Sequence, residues 1–120
     1  MATPPTRLEP RSPRGFKDAS APSLAARARM GATVRAVYEA YGFEGLDTPA
    51  LEYVDMLGKF LPESDQPDAG IFALKDVDDQ WIALRYDLTA PLSRYGAQNL
   101  PNLTLPFRRW QTGPVWRNEK

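Results

Sequence analysis

Arg85, Asp87 and Thr89 stand two residues apart in "LRYDLTAP" (84–91), and Arg117 and Glu119 repeat that spacing in "GPVWRNEK" (113–120). Successive side chains of an extended chain point to opposite faces, so Arg85 and Asp87 fall on one side of a strand, as do Arg117 and Glu119 where their segment is extended. Two arrangements are open to Arg85 and Asp87. Buried together they brace the fold; facing a cleft they form a charged site. The rest of the chain limits what such a site can do. With no cysteine and no histidine, these residues offer no thiolate nucleophile, disulfide, zinc cluster or Ser-His-Asp triad. Chemistry falls to carboxylates, guanidinium groups, amines, hydroxyls and the backbone, and no metal ligands are expected.

The elements that must position these groups follow from the pattern around them. Two short apolar runs, "IFALK" (71–75) and "WIALRYD" (81–87), flank the polar "DVDDQ", which is a β-hairpin signal. On the second run Trp81, Ala83, Arg85 and Asp87 point one way, and Ile82, Leu84 and Tyr86 the other. Thr89 is placed to N-cap a helix in "TAPLSRYGAQNL", with Pro91 tolerated in the first turn and Leu92, Tyr95 and Leu100 as its apolar side. The polar strand end thus lies beside a helix N-terminus. The second set belongs to "LTLPFRRWQTGPVWRNEK" (103–120). As one strand without a bulge at Gly113, it puts Arg109, Gln111, Arg117 and Glu119 on one face and Trp110 and Trp116 on the other. An antiparallel sheet with one wet face gives the same pattern without any site.

Upstream, residues 1–22 hold five of the twelve prolines and no regular period, so an extended or disordered lead-in is expected. Within it, Gly15 of "PRGFKD" suggests a backbone held close to a neighbour. A helix follows, with Ser23 as N-cap, Met30, Val34, Val37, Tyr38 and Tyr41 on one face, and Gly42 as the left-handed residue that ends it. Aromatic residues on such a stripe are expected in a core. "FEGLDTPALEYVDML" (43–57) predicts an extended segment stopped at Pro49, at a sheet edge or strand end, and then a helical turn or two. Residues 58–70 have loop composition.

A chain of 120 residues suits one modest core. No apolar run approaches the roughly 18 residues of a membrane span, so no membrane insertion is expected. The net charge of zero sums unlike blocks: +5 over residues 1–38, −9 over 39–79 and +4 over 80–120. An acidic middle is ordinarily a solvated face and argues against a surface that is positive all over. The basic N-terminus has the composition of an organelle transit peptide, but its prolines would break the amphipathic helix such a peptide uses. A cytoplasmic location is expected, and the absent cysteines agree with a reducing compartment.

In order and spacing, "PRGFKD", "YGFEGLDTPALEYVDMLGKF", "LRYDLTAPLSRY" and "PFRRWQTGPVWRNEK" together resemble the N-terminal part of bacterial histidyl-tRNA synthetases, a family of class II aminoacyl-tRNA synthetases. The resemblance covers nearly all of residues 13–120. It implies an α+β fold, an antiparallel sheet with packed helices, as a partial class II catalytic domain over 23–120. It also implies a whole protein that activates histidine with ATP to histidyl-adenylate and transfers it to tRNA(His). Asp87 and Thr89 would then bind the α-ammonium of histidine, with Arg85 as a neighbouring brace that fixes Asp87. Arg117 would be the catalytic residue, holding the ATP α-phosphate, and Glu119 would lie near the adenine amino group or elsewhere on ATP. The helix at 23–41 and the segment through Pro49 would form a homodimer interface. ATP would come with Mg2+ as its counter-ion, with no tightly bound cofactor and no DNA partner.

The residue types suit those implied roles. A carboxylate is the natural counter-charge for an ammonium, and a hydroxyl adds an oriented hydrogen bond. A planar, always-charged guanidinium suits phosphate as negative charge rises on it. Catalysis would be positioning plus electrostatic stabilisation. The family's ATP-binding loop, histidine-reading motif, third signature motif and anticodon-binding domain would lie beyond Lys120. The 120-residue chain alone is therefore expected to be truncated and inactive, to expose apolar surface, and to self-associate or stay partly molten. Two other readings stand beside this one. A non-catalytic paralogue, such as the regulatory subunit of ATP phosphoribosyltransferase, shares the resemblance but need not hold ATP. An RNA-binding module would use the basic and aromatic 80–120 segment.

Overall fold

The structure is a computed structural model that describes residues 7–58, 67 and 70–119. The chain divides into two units, Met1–Val34 and Arg35–Lys120.

In the first unit the lead-in holds one turn, closed by the Phe16 N–H on the Pro13 carbonyl at 3.1 Å. Gly15 has φ +85° there, and nothing lies within 4 Å of where its Cβ would stand. The glycine therefore serves the turn's positive φ and not a close approach, contrary to the expectation from sequence. Helix α1 spans Ala21–Ala40. Its first backbone bond runs from Leu24 N–H to Ser20 O (2.9 Å), so it starts ahead of Ser23. Pro22 falls in the first turn, where a missing N–H costs nothing.

No residue of α1 is buried. Met30, Val34, Val37 and Tyr41 on the predicted stripe are each more than half exposed, so the stripe is real as a pattern but is not core. The helix ends as the sequence indicates. Gly42 (φ +79°) donates to Glu39 O and Phe43 donates to Tyr38 O, both at 3.0 Å, a Schellman motif. The Tyr38 and Phe43 rings meet edge to face at 5.3 Å and close it.

The second unit is built on a three-stranded antiparallel sheet of β2 (Leu51–Tyr53), β3 (Ala73–Lys75) and β4 (Trp81–Leu84), with β4 in the centre. The β3–β4 hairpin is the one the sequence predicts, with Ala73 opposite Ala83 and Lys75 opposite Trp81. Asp76 Oδ1 accepts from the N–H groups of Asp78 and Gln80, each at 2.9 Å, and so ties its turn.

Strand β2 departs from expectation. After Pro49 comes a strand, not a helical turn, because Leu51, Glu52 and Tyr53 pair with Leu84, Ala83 and Ile82. The turn follows at 54–58, where Leu57 N–H reaches Tyr53 O and Gly58 takes φ +64°. That turn drops Val54 and Leu57 into a core completed by Ile71 and Ala83. Of the loop predicted over 58–70, only Gly58, Pro67 and Gly70 lie within the described residues.

A second, parallel pair joins β1 (Glu44–Gly45) to β5 (Arg109–Trp110). The segment 103–120 is therefore not one strand. Strand β5 already ends at Trp110; further on, a Cβ on Gly113 would overlap Arg85 Nη2 and Pro114 has no N–H to give. Beyond Pro114 the chain resumes local pairing, with Trp116 N–H on Arg85 O (3.0 Å) and Asn118 N–H on Gly70 O (2.8 Å).

Helix α2 spans Thr89–Asn99 and tightens into a 3₁₀ turn at Leu100–Asn102. Pro91 is fully buried, Tyr95 stacks on Phe107 at 6.0 Å, and Leu100 is 56% exposed in the 3₁₀ turn instead of joining an apolar face. Arg94 reaches from α2 to the buried Glu52 of β2 with Nε–Oε2 2.9 Å and Nη2–Oε1 2.8 Å, a bidentate pair. The fold is α+β. No helix of the described residues is long and apolar enough to cross a membrane.

Candidate functional site

The charged groups singled out in the sequence gather where β4 ends, α2 begins and residues 113–119 pass by. Ala83 is fully buried and Arg85 is 4% exposed, so the face that Arg85 shares with Ala83 is the inner one. Its guanidinium donates to Thr48 O from Nη1 (2.8 Å) and to Pro114 O from Nε (2.9 Å). Trp116 lies 5.9 Å away, ring centroid to Cζ. The ion pair it makes is with Asp47, at 3.9 Å, and Asp47 is so exposed that the pair adds little. Arg85 thus ties segment 47–48 to 114–116. The expectation that it would fix Asp87 is not what the geometry shows.

Asp87 is held by α2. Its Oδ1 accepts from Thr89 N–H (3.1 Å) and Ala90 N–H (2.9 Å). The capping role given to Thr89 by the sequence belongs instead to Asp87, and Thr89 is the first, exposed residue of the helix. A carboxylate here also meets the positive end of the helix dipole. Both bonds fall on one oxygen, which orients the carboxylate and leaves Oδ2 outside them.

Arg117 and Glu119 come together through a residue that sequence reasoning passed over. The Tyr86 ring lies 4.4 Å from Arg117 Cζ, and its hydroxyl donates to Glu119 Oε1. Its only signal in the sequence was an aromatic on the apolar side of the strand, next to Asp87. Tyr86 and Asp87 are neighbours in the chain, so the two halves of the constellation share one stretch of backbone.

Arg109 and Gln111, placed on one face with Arg117 and Glu119 by the sequence, form a separate network. Arg109 donates to Leu88 O from Nη2 (2.6 Å) and to Gln111 Oε1 from Nη1 (2.9 Å). Gln111 in turn donates to Thr48 Oγ1 (2.9 Å). Burial lowers the Arg109 pKa from its ordinary value. This network holds the carbonyl of Leu88, the residue after Asp87. Pro49 is exposed in the link between β1 and β2. A recess of about 340 Å³ between β1, β5 and the end of α2 takes in Arg109, Tyr95 and Phe107 but neither Asp87 nor Arg117. Among the described residues no group of three Asp, Glu, His or Cys could hold a metal ion by itself.

The family model described as histidyl-tRNA synthetase matches residues 15–120. The histidine–tRNA ligase of Caulobacter vibrioides is 63% identical over 114 residues, which is 95% of this chain and 23% of that protein. The histidine–tRNA ligase of Rhizobium rhizogenes is 55% identical over 116 residues, 97% of this chain and 23% of that protein. The present chain therefore spans about a quarter of the length of those relatives. Among solved structures, the histidyl-tRNA synthetase of Nostoc sp. aligns with TM-score 0.75 and 33% identity over 91% of this chain and 25% of its own. A Bacillus halodurans protein described as an ATP phosphoribosyltransferase regulatory subunit/histidyl-tRNA synthetase aligns with TM-score 0.77 over 95% of this chain and 29% of its own, at 24% identity, which shows a shared fold.

Proposed function

Because the chain belongs to the histidyl-tRNA synthetase family, we propose that it forms the N-terminal part of the catalytic domain of a histidine–tRNA ligase, covering residues 23–120 after a lead-in at 1–22. The whole protein would join histidine to ATP, releasing pyrophosphate, and pass the histidyl group from the adenylate to tRNA(His). The observation that supports this reading is the Tyr86–Asp87 step just past β4, where Tyr86 contacts Arg117 and Glu119 and the next residue, Asp87, caps α2.

The α-ammonium of histidine binds Asp87 through the oxygen that the α2 amides leave outside their bonds, and the Thr89 hydroxyl adds a second, oriented partner. The histidine carboxylate then attacks the α-phosphorus of ATP. One P–O bond forms, the bond to the β-phosphate oxygen breaks, and pyrophosphate leaves with the electron pair. Arg117 holds the α-phosphate while charge accumulates on its oxygens, and Glu119 steadies the nucleotide. Mg2+ enters as the counter-ion of ATP. No proton needs to move through an imidazole or thiol of this chain, which suits its composition.

Retention of both Arg117 and Glu119, on a built aromatic support, favours a ligase over a paralogue that does not hold ATP. The exposed stripe of α1 with the link through Pro49 supports a homodimer interface. The setting is cytoplasmic.

In the complete ligase, Asp87→Ala should raise the KM for histidine roughly 10- to 100-fold, the loss of a hydrogen bond to a charged group. Arg117→Ala should lower kcat of histidine-dependent pyrophosphate exchange by about 10²- to 10³-fold. Wild-type rates from both variants would sink the assignment. Residues 1–120 alone should give no exchange, and exchange by the purified piece would contradict that.

A further inference from the structure

Arg117 and Glu119 are exposed and lie on a segment that is neither helix nor strand. The backbone there is pinned by the Trp116 and Asn118 amides, but that does not fix where two long side chains point. Among the described residues the two groups, of opposite charge and two residues apart, do not pair with each other. A direct ion pair would neutralise both and present neither to a ligand. A phenol keeps them apart.

Resting on the function proposed above, we propose that Tyr86 is a positioning residue for that site. Its ring face holds the Arg117 guanidinium and its hydroxyl holds the Glu119 carboxylate, so one side chain sets both ATP-directed groups. The ring supplies a broad electrostatic seat that leaves the guanidinium's N–H donors free to turn toward phosphate. The hydroxyl supplies a single directed bond that occupies Oε1 and orients the carboxylate. Because Tyr86 is peptide-bonded to Asp87, the same strand end that presents the amino-acid carboxylate also carries this support.

The two parts of the side chain separate by substitution in the complete ligase. Tyr86→Phe keeps the ring and removes the hydroxyl, and should raise the KM for ATP roughly three- to tenfold, with kcat and the KM for histidine within about twofold. Tyr86→Leu removes both, and should add a fall in kcat of about tenfold as Arg117 loses its seat. In a double-mutant cycle, Tyr86→Phe should change the KM for ATP little once Glu119 is already Ala.

An unchanged KM for ATP in Tyr86→Phe overturns the hydroxyl's role. Equal effects of Tyr86→Phe with and without Glu119 overturn the link between them. A Tyr86→Leu protein that loses histidine and ATP affinity alike, with a matching fall in Tm, makes the residue merely structural and overturns the proposal. Failure of the function itself reads differently: Arg117→Ala would then retain wild-type exchange, and the positioning role would fall with it.

Discussion

Asp87 carries two duties on two oxygens. Oδ1 caps α2, and the proposed ammonium ligand is the rest of the carboxylate. Asp87→Asn keeps an acceptor for the helix but removes the charge, whereas Asp87→Ala removes both. Hydrogen exchange of the Thr89 and Ala90 amides in the complete protein should stay slow in the Asn variant and quicken in the Ala variant, a cap being worth about 1 kcal/mol. Histidine binding should fall in both. If Asn restores histidine affinity as well, Asp87 acts as a cap alone. The spacing of Arg85, Asp87 and Thr89 was legible in the sequence, and so was their clustering at a helix start. The division of labour was not. Arg85 turns to Thr48 O and Pro114 O because distant segments bring unpaired carbonyls to it, and local spacing carries no record of them.

At the scale of elements, α2 is fastened to β2 by Arg94 and Glu52, whose side chains are 18% and 5% exposed. Arg94→Ala strands a buried carboxylate and should cost about 3–5 kcal/mol in urea unfolding. Arg94→Lys should recover only part, since a point charge cannot make the bidentate contact. A loss below about 1 kcal/mol would show the pair to be solvent-screened. The hairpin and the glycine stop of α1 were readable because each is decided by a few adjacent residues. β2 was missed because its partner β4 lies across a long excursion of chain, and Glu52 alone gives no sign of an arginine forty-two residues on. The interruption at Gly113-Pro114 had a local cue in the dipeptide itself, but the approach of Arg85 to Gly113 had none. A methyl at 113 should displace that guanidinium: Gly113→Ala is expected to cost about 1–3 kcal/mol by overpacking.

Among the described residues, four apolar ones, Val54, Leu57, Ile71 and Ala83, are buried as core, while Met30, Val37, Tyr41, Leu74 and Val77 stand exposed. So small a core gives a marginal hydrophobic gain. Residues 1–120 alone should therefore self-associate, bind a dye for exposed apolar surface and melt broadly. Sedimentation as a monomer with one sharp unfolding transition would refute this. The fold class was legible because motif order specified it; the uncovered stripe of α1 was not, since periodicity identifies an apolar face without saying what meets it. The pairing of Glu44 with Arg109 also has a consequence in time. A pair so far apart in sequence can form only after both strands have been made, whereas a hairpin or a helix turn needs only its own short stretch. During synthesis α1 and the β3–β4 hairpin can form as they emerge, while β1 must wait exposed for a partner made some sixty-five residues later. The parallel pair of β1 and β5 is thus among the last pieces of local structure this stretch of polypeptide can complete as it is made.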